Sequence, residues 1–108
     1  MNISINNIAF NGTLKFKNKN GESIKIDTKD IEEIGCIDDY DLFIKTNHDR
    51  GFDAPTGRYR KETFIIRHHQ HGKGYNQLLR MYDIASKNNV ILNVDYAIIQ
   101  DKNLDNYA

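Results

Sequence analysis

The sequence has no tryptophan, one cysteine, one proline and equal numbers of basic and acidic residues. The single thiol, Cys36, excludes a disulfide within the chain and is typical of a reducing compartment. The balanced charge excludes an overall field that would select nucleic acid or an acidic membrane. No apolar run is long enough for a transmembrane segment, and the first residues, MNISINNIAF, lack the pattern of a signal peptide. We therefore expect a cytoplasmic protein.

The residues that are present predict one folded domain. The chain has 108 residues, of which 39% are hydrophobic and 28% charged, enough for a single core without disulfides. Asparagine and isoleucine are frequent, which indicates an AT-rich bacterial or phage coding sequence. We expect a single domain over residues 1–100 and a polar C-terminal tail over residues 101–108.

Alternation of apolar and polar residues predicts several short strands. The clearest are 14–17 and 23–26, which the turn residues 18–21 join into a hairpin. Further strands are predicted over 3–10, 40–45 and 59–68, with a loop over 47–57. Residues 28–34 are ambiguous, because Thr28 can also cap a short helical turn.

One amphipathic helix is predicted over residues 75–88. The apolar stripe that defines it follows helical spacing and comprises Tyr75, Leu78, Leu79, Tyr82 and Ala85, with Met81 and Ile84 widening it. Asn88 and Asn89 are suited to a left-handed stop. Residues 90–99 are again apolar and predict one more strand after the helix. The predicted order of elements, with the strands first and a single helix near the end, indicates an α+β fold.

Four segments carry a resemblance to a known family. They are SIKIDTKDIEEI at 23–34, DLFIKT at 41–46, ETFIIR at 62–67 and YNQLLRMYDIA at 75–85. Their order over residues 22–86 resembles bacterial pleckstrin-homology-like and GRAM-type domains. The resemblance implies an antiparallel sheet or partly open barrel closed by the helix, no shared catalytic residues, and binding of proteins, peptides or anionic headgroups. The strand after the helix departs from that pattern and leaves a different α+β sheet as the alternative.

Three groups of residues are candidate binding sites. His69 and His71 fall on one face of an extended segment, and with His48 they can form a metal site. Lys15, Lys17 and Lys25 lie on the outer face of the hairpin, with Lys19 at its turn, and can bind an anion. A partner surface is predicted at Arg58, Arg60, Lys61 and Arg67. In each case the alternative is a solvated or structural side chain.

The charges are also polarised along the sequence. Acidic residues dominate 27–41 and basic residues dominate 58–73. The two stretches either steer a charged partner or neutralise each other in the fold. The acidic stretch and the zero net charge argue against nucleic-acid binding.

No residue pattern supports catalysis or a cofactor. Cys36 is expected to be a small buried core thiol, and HGKG at 71–74 lacks the spacing of a phosphate-binding loop. We therefore expect a non-enzymatic protein-interaction module, such as a small bacterial or phage-encoded regulator or inhibitor, with an unknown protein partner. Residues 90–99 can also pair with a second copy of the chain as a homo-oligomer. The alternative function is binding of a small anion or a metal ion.

Overall fold

Residues 11–102, the part of the chain that the computed structural model describes, form six β-strands and one α-helix. In chain order the elements are β1 (Thr13–Asn18), β2 (Ser23–Asp27), β3 (Ile31–Cys36), β4 (Asp41–Asp53), β5 (Arg58–His68), α1 (Gly74–Asn88) and β6 (Ile91–Lys102). The predicted α+β class is confirmed, together with the late helix and the strand that follows it. The strand predicted over 3–10 lies outside the described residues.

All six strands belong to one open sheet in the order β2-β1-β6-β5-β4-β3. Neighbouring strands are antiparallel except for β1 and β6, which are parallel. The prediction of a purely antiparallel sheet is wrong at this pair. The cause is the connection from β2 to β3, a 3₁₀ turn at Thr28–Asp30, through which the chain continues in the same direction instead of reversing as a hairpin would.

The sheet must be strongly curved, because that same 3₁₀ turn joins its two outer strands. In a flat six-stranded sheet the outer strands would lie about 24 Å apart, at ~4.8 Å per neighbour. The three residues of the turn give the chain a reach of only about 14 Å between the flanking residues. The outer strands are therefore brought toward each other, and the sheet has a concave face.

The hydrophobic core contains alternate residues of the strands together with residues of α1. It comprises Leu14, Phe16, Ile26, Leu42, Ile44, Phe64, Ile66, Leu78, Ala85, Val94, Ala97 and Ile99. Helix α1 contacts β1, β6 and β3, which are spread across the sheet order, and also contacts the 3₁₀ turn. The helix therefore covers the concave face.

The predicted apolar stripe of α1 faces this core. Leu78 and Ala85 are fully buried, and Tyr75 and Tyr82 pack against the core cluster. Ile84 does not widen the stripe as predicted, because 48% of its surface is exposed. The helix ends as expected at Asn89, whose φ of 56° is in the left-handed region.

Two local predictions are resolved differently from expectation. The ambiguous segment 28–34 begins as the 3₁₀ turn and continues as β3. Thr28 does not cap a helix; its buried hydroxyl instead accepts from Gly12 N at 2.9 Å and donates to Gly12 O at 3.2 Å. The loop predicted over 47–57 is wrong, because β4 continues to Asp53 and β5 begins at Arg58.

Candidate functional site

The outer half of the β4–β5 hairpin extends beyond the sheet. β3 pairs with β4 at residues 42–46, and β6 pairs with β5 at residues 64–68. Within the described residues, segments 47–53 and 58–61 therefore pair only with each other. We call residues 47–61 the arm. A two-stranded ribbon of this kind exposes both faces to solvent.

The sequence of the arm explains its shape. Between the pairs Lys45–Thr63 and Gly51–Arg60, β4 holds three more residues than β5, which appear as two register shifts. Such bulges bend a strand and increase its twist. Gly51 has φ 133°, a conformation that side chains disfavour. The turn at 54–57 places Pro55 early and ends at Gly57 with φ 71°, as turn chemistry favours.

Polar contacts around the buried Thr46 and at His48 hold the base of the arm. Thr46 is 1% exposed, and its hydroxyl donates to Glu62 Oε1 at 3.1 Å and accepts from His48 N at 3.2 Å. His48 Nε2 lies 3.1 Å from Asp30 Oδ2 in the 3₁₀ turn. These contacts join β4 to β5 at the base of the arm and connect His48 of the arm to the 3₁₀ turn.

The tip of the arm carries an exposed aromatic residue among charged ones. Phe52 is 59% exposed, the most exposed large hydrophobic residue in the described part of the chain. Arg50 and Arg58 are also exposed, while Lys61 forms an ion pair with Asp49 at 3.1 Å. Aromatic and arginine side chains are the residues that contribute most often to binding energy at protein interfaces.

The predicted partner set is only partly brought together. Arg58, Arg60 and Lys61 lie in the arm, but Arg67 is six residues beyond Lys61 along β5, about 20 Å away at ~3.3 Å per residue. Arg67 instead forms a bidentate ion pair with Asp41: Nε donates to Oδ1 at 2.8 Å and Nη2 donates to Oδ2 at 3.1 Å. Hydrogen bonding to Asp41 raises the pKa of Arg67.

The polarised charges meet in the fold at this second location. Besides the Arg67–Asp41 pair, His71 Nε2 contacts Asp39 Oδ2 at 2.7 Å, and the Tyr40 ring packs edge-on to His71 at 5.0 Å. One basic residue of the stretch 58–73, Arg67, is therefore neutralised here by the acidic stretch 27–41. Backbone N–H groups of Asp41 and Tyr40 donate to Asp38, which lowers the pKa of that carboxyl.

The predicted metal set is not brought together. His48 contacts Asp30, His71 contacts Asp39, and His69 lines a different cleft, between β1 and β6. In the region from 11 to 102, no group of three or more His, Cys, Asp or Glu side chains is placed to hold a metal ion. The spacing in RHHQH put two imidazoles on one face but contained no information on the third ligand.

The remaining histidine of RHHQH, His68, is a structural residue. It is 1% exposed; its Nδ1 accepts from Gln70 N at 2.9 Å and its Nε2 lies 2.7 Å from Gln77 Oε1. The ring packs on Tyr96 at 4.7 Å. The imidazole therefore connects the end of β5 to α1 through contacts at both ring nitrogens.

The lysines of the predicted anion site lie at two different pockets. Lys15 and Lys17 line the cleft between β1 and β6 together with Lys19, whereas Lys25 lines a separate pocket with Asp30 and His48. Lys19, which the sequence places at the hairpin turn beside these lysines, lines the same cleft as Lys15 and Lys17. Its place in the cleft depends on β6 lying next to β1, which no local pattern encodes.

Two further expectations require correction. Cys36 is exposed and not a core thiol, because it is the last residue of an outer strand. The strand predicted over 90–99 is interior, between β1 and β5, so it does not offer the outer edge on which the predicted pairing of two copies depends. Homo-oligomer formation itself stays a prediction, with β2 and β3 as the outer strands among residues 11–102.

Comparisons with known proteins leave the chain without an assigned family. Searches of protein-family models, curated proteins and solved structures found no match. Between residues 11 and 102, no helix combines the length and apolar character that crossing a membrane requires. A functional interpretation therefore depends on the arm and the clefts of this molecule.

Proposed function

We propose that this domain is a non-enzymatic protein-interaction module and that the arm is its contact surface. The observation that carries the proposal is the projection of a fixed β-ribbon beyond the sheet with Phe52 exposed at its tip. An exposed aromatic side chain on a positioned element can enter an apolar pocket of a partner with little loss of conformational entropy.

The charges of the arm favour a protein over nucleic acid as its partner. Asp49 lies among the basic residues Arg50 and Arg58 of the ribbon, and Asp49 already neutralises Lys61. Nucleic-acid affinity comes largely from neutralised phosphates, which carboxylates in the same surface oppose. A mixed ring of charges around an aromatic residue is instead the common arrangement at the rim of protein interfaces.

A non-enzymatic role is supported by the surroundings of the reactive side chains. Cys36 lines a pocket with Asp38, Asp39 and Tyr75, and no histidine is among the described residues that line it. His68 is engaged on both ring nitrogens by structural contacts. A nucleophile and a base within hydrogen-bond reach are what covalent catalysis requires.

The curved sheet with a helix over its concave face also supports the pleckstrin-homology-like resemblance, which we retain as a proposal of fold relationship. In that interpretation the six strands form a partly open barrel, and the small domain acts as a bacterial or phage-encoded regulator or inhibitor. The parallel β1–β6 pair and the interior β6 are the features in which this chain departs from the antiparallel barrel.

Site-specific photo-crosslinking tests the arm as the contact surface. A photoreactive phenylalanine analogue replaces Phe52 in one variant and Ile84 in a matched variant; both side chains are exposed, at 59% and 48%, but Ile84 is on the helix. Each variant is irradiated in extract of the source cell, and the crosslinked protein is identified, purified and titrated against the unmodified chain.

The proposal expects one protein to crosslink from position 52 and not from position 84, and to bind the purified wild-type chain. Equal crosslinking from both positions, or crosslinking from position 84 alone, would contradict the arm as the contact surface. A crosslinked protein that fails to bind when purified would contradict a specific interaction.

A further inference from the structure

We propose that the cleft between β1 and β6 binds a small phosphate ester whose body carries hydroxyl groups, such as a sugar phosphate or a nucleotide. This cleft shares no residue with the arm, so the inference goes beyond the proposed protein interaction. It is about 600 Å³ in volume, within the range typical of small-molecule sites.

The cleft lies where the register between the parallel strands β1 and β6 shifts. Lys15 pairs with Asn93 and Lys17 pairs with Ile98, so residues 94–97 of β6 lie opposite Phe16 alone. Four residues cannot continue a ladder against one, and β6 bulges away from β1 at this point. Bulges of this kind occur often beside binding sites, where they redirect side chains.

The cleft is apolar at its floor and cationic at its rim. Phe16, Val94 and Ala97 are buried core residues at its base. Lys15 and Lys17 point to the same outer face of β1, about 6.6 Å apart along the strand, and Lys19 follows in the turn. Two ammonium groups at that spacing can donate to different oxygens of one phosphate.

Within residues 11–102, these lysines have no carboxylate partner of the kind that Lys61 and Lys87 have. Lys61 pairs with Asp49 and Lys87 with Asp83, both at 3.1 Å. In contrast, no carboxylate of the described residues lies within 4.0 Å of the ammonium groups of Lys15, Lys17 or Lys19. Three like charges around one cleft repel each other, and a bound anion relieves that repulsion.

The opposite wall determines the class of anion. Asn93, Asp95 and His69 line the β6 side of the cleft. The Asp95 carboxylate repels a phosphate and accepts hydrogen bonds from hydroxyl groups, and the Asn93 amide can donate or accept. A phosphate held by Lys17 and its two neighbouring lysines, with a hydroxyl-bearing body toward Asn93 and Asp95, satisfies both walls. Inorganic phosphate alone would make no hydrogen bonds to Asn93 and Asp95.

Amide chemical shifts of the nitrogen-15-labelled chain test the site directly. Glucose 6-phosphate and adenosine monophosphate are titrated separately, with inorganic phosphate, glucose and vesicles containing an anionic phospholipid as further probes. The matched variants are Lys17→Gln with Lys19→Gln, against Lys29→Gln at an exposed lysine of the 3₁₀ turn. Melting temperature verifies that each variant is folded.

The proposal expects one of the two esters to shift Lys17, Asn93 and neighbouring amides, to bind more tightly than inorganic phosphate, and to lose about tenfold or more in affinity in the double variant. Lys29→Gln keeps the wild-type affinity. Binding of inorganic phosphate as tight as that of both esters, binding to vesicles only, equal loss in Lys29→Gln, or no shift with either ester would overturn the proposal.

Discussion

At the scale of single residues, Tyr96 joins β6 to the helix: its hydroxyl donates to Met81 Sδ at 2.7 Å. Burial raises the pKa of Tyr96 above its usual value near 10. The folded chain therefore holds this proton more tightly than the unfolded chain does. The resulting contribution to the free energy of unfolding is complete below about pH 10 and is lost as the pH rises through the folded pKa.

We expect Tyr96→Phe to reduce the decline in stability that wild type shows above about pH 10. Urea unfolding at a series of alkaline pH values measures it, and an ultraviolet absorbance titration follows tyrosine ionisation. Tyr82→Phe, which leaves Tyr96 in place, should keep the wild-type decline. An unchanged alkaline decline in Tyr96→Phe would be inconsistent with this role.

Gly12 is required where β1 meets the end of the helix. A Cβ at this position would overlap the carbonyl of Ala85 and lie 2.9 Å from Val90 O, and backbone atoms cannot rotate away as a side chain can. We expect Gly12→Ala to lower the free energy of unfolding by about 1–3 kcal/mol. The neighbouring exposed residue provides the control: Asn11→Ala should change it by less than about 0.5 kcal/mol. If urea unfolding gives the same free energy of unfolding for Gly12→Ala and Asn11→Ala, the proposed steric role of Gly12 is excluded.

At the scale of elements, we expect the stability of the arm to depend on the contact between His48 and Asp30. Because that contact connects the arm to the 3₁₀ turn, we expect His48→Ala to speed hydrogen exchange of the arm amides while the β1–β2 hairpin is unaffected. His69→Ala, at an exposed histidine in another cleft, is the matched control. If the arm amides of His48→Ala exchange at wild-type rates, the contact between His48 and Asp30 does not stabilise the arm.

Local chemistry explains which elements could be predicted from the sequence. The β1–β2 hairpin was recognised because Asn18 Oδ1 accepts from the backbone of Asn20 and Glu22, and Gly21 has φ 85°, interactions that lie within the turn. The helix was recognised because Leu78 and Ala85 repeat at helical spacing. The outer half of β4 was missed because its extra residues break the period of two on which strand prediction depends.

The same reasoning explains the partial success at the candidate sites. Arg58, Arg60 and Lys61 lie together in the arm because they are close in sequence on one strand, and their role in binding stays a prediction. Arg67 does not lie with them, because it is near the opposite end of the same strand, where it contacts Asp41. The lysine cleft could not be predicted as a whole, because Asn93 reaches Lys15 only through the parallel pairing of β1 with β6.

At the scale of the whole molecule, β6 holds the two halves of the sheet together. It lies between the β2–β1 pair and the β5–β4–β3 group, so separating it divides the core. We expect the amides of Ile98 and Ile99 to exchange only through global unfolding, and the arm amides to exchange through local opening. Native-state hydrogen exchange at increasing urea concentration measures this. Faster exchange in β6 than in the arm would contradict the central position of β6.

The most direct test of the account is the affinity of the crosslinked partner for two matched variants, measured by titration calorimetry. Phe52→Ala removes the exposed aromatic group of the arm, and Ile84→Ala removes a comparably exposed apolar group of the helix. We predict that Phe52→Ala weakens binding about thirtyfold, equivalent to ~2 kcal/mol, while Ile84→Ala binds as wild type does. Wild-type affinity in Phe52→Ala, or an equal loss in both variants, would contradict the arm as the contact surface.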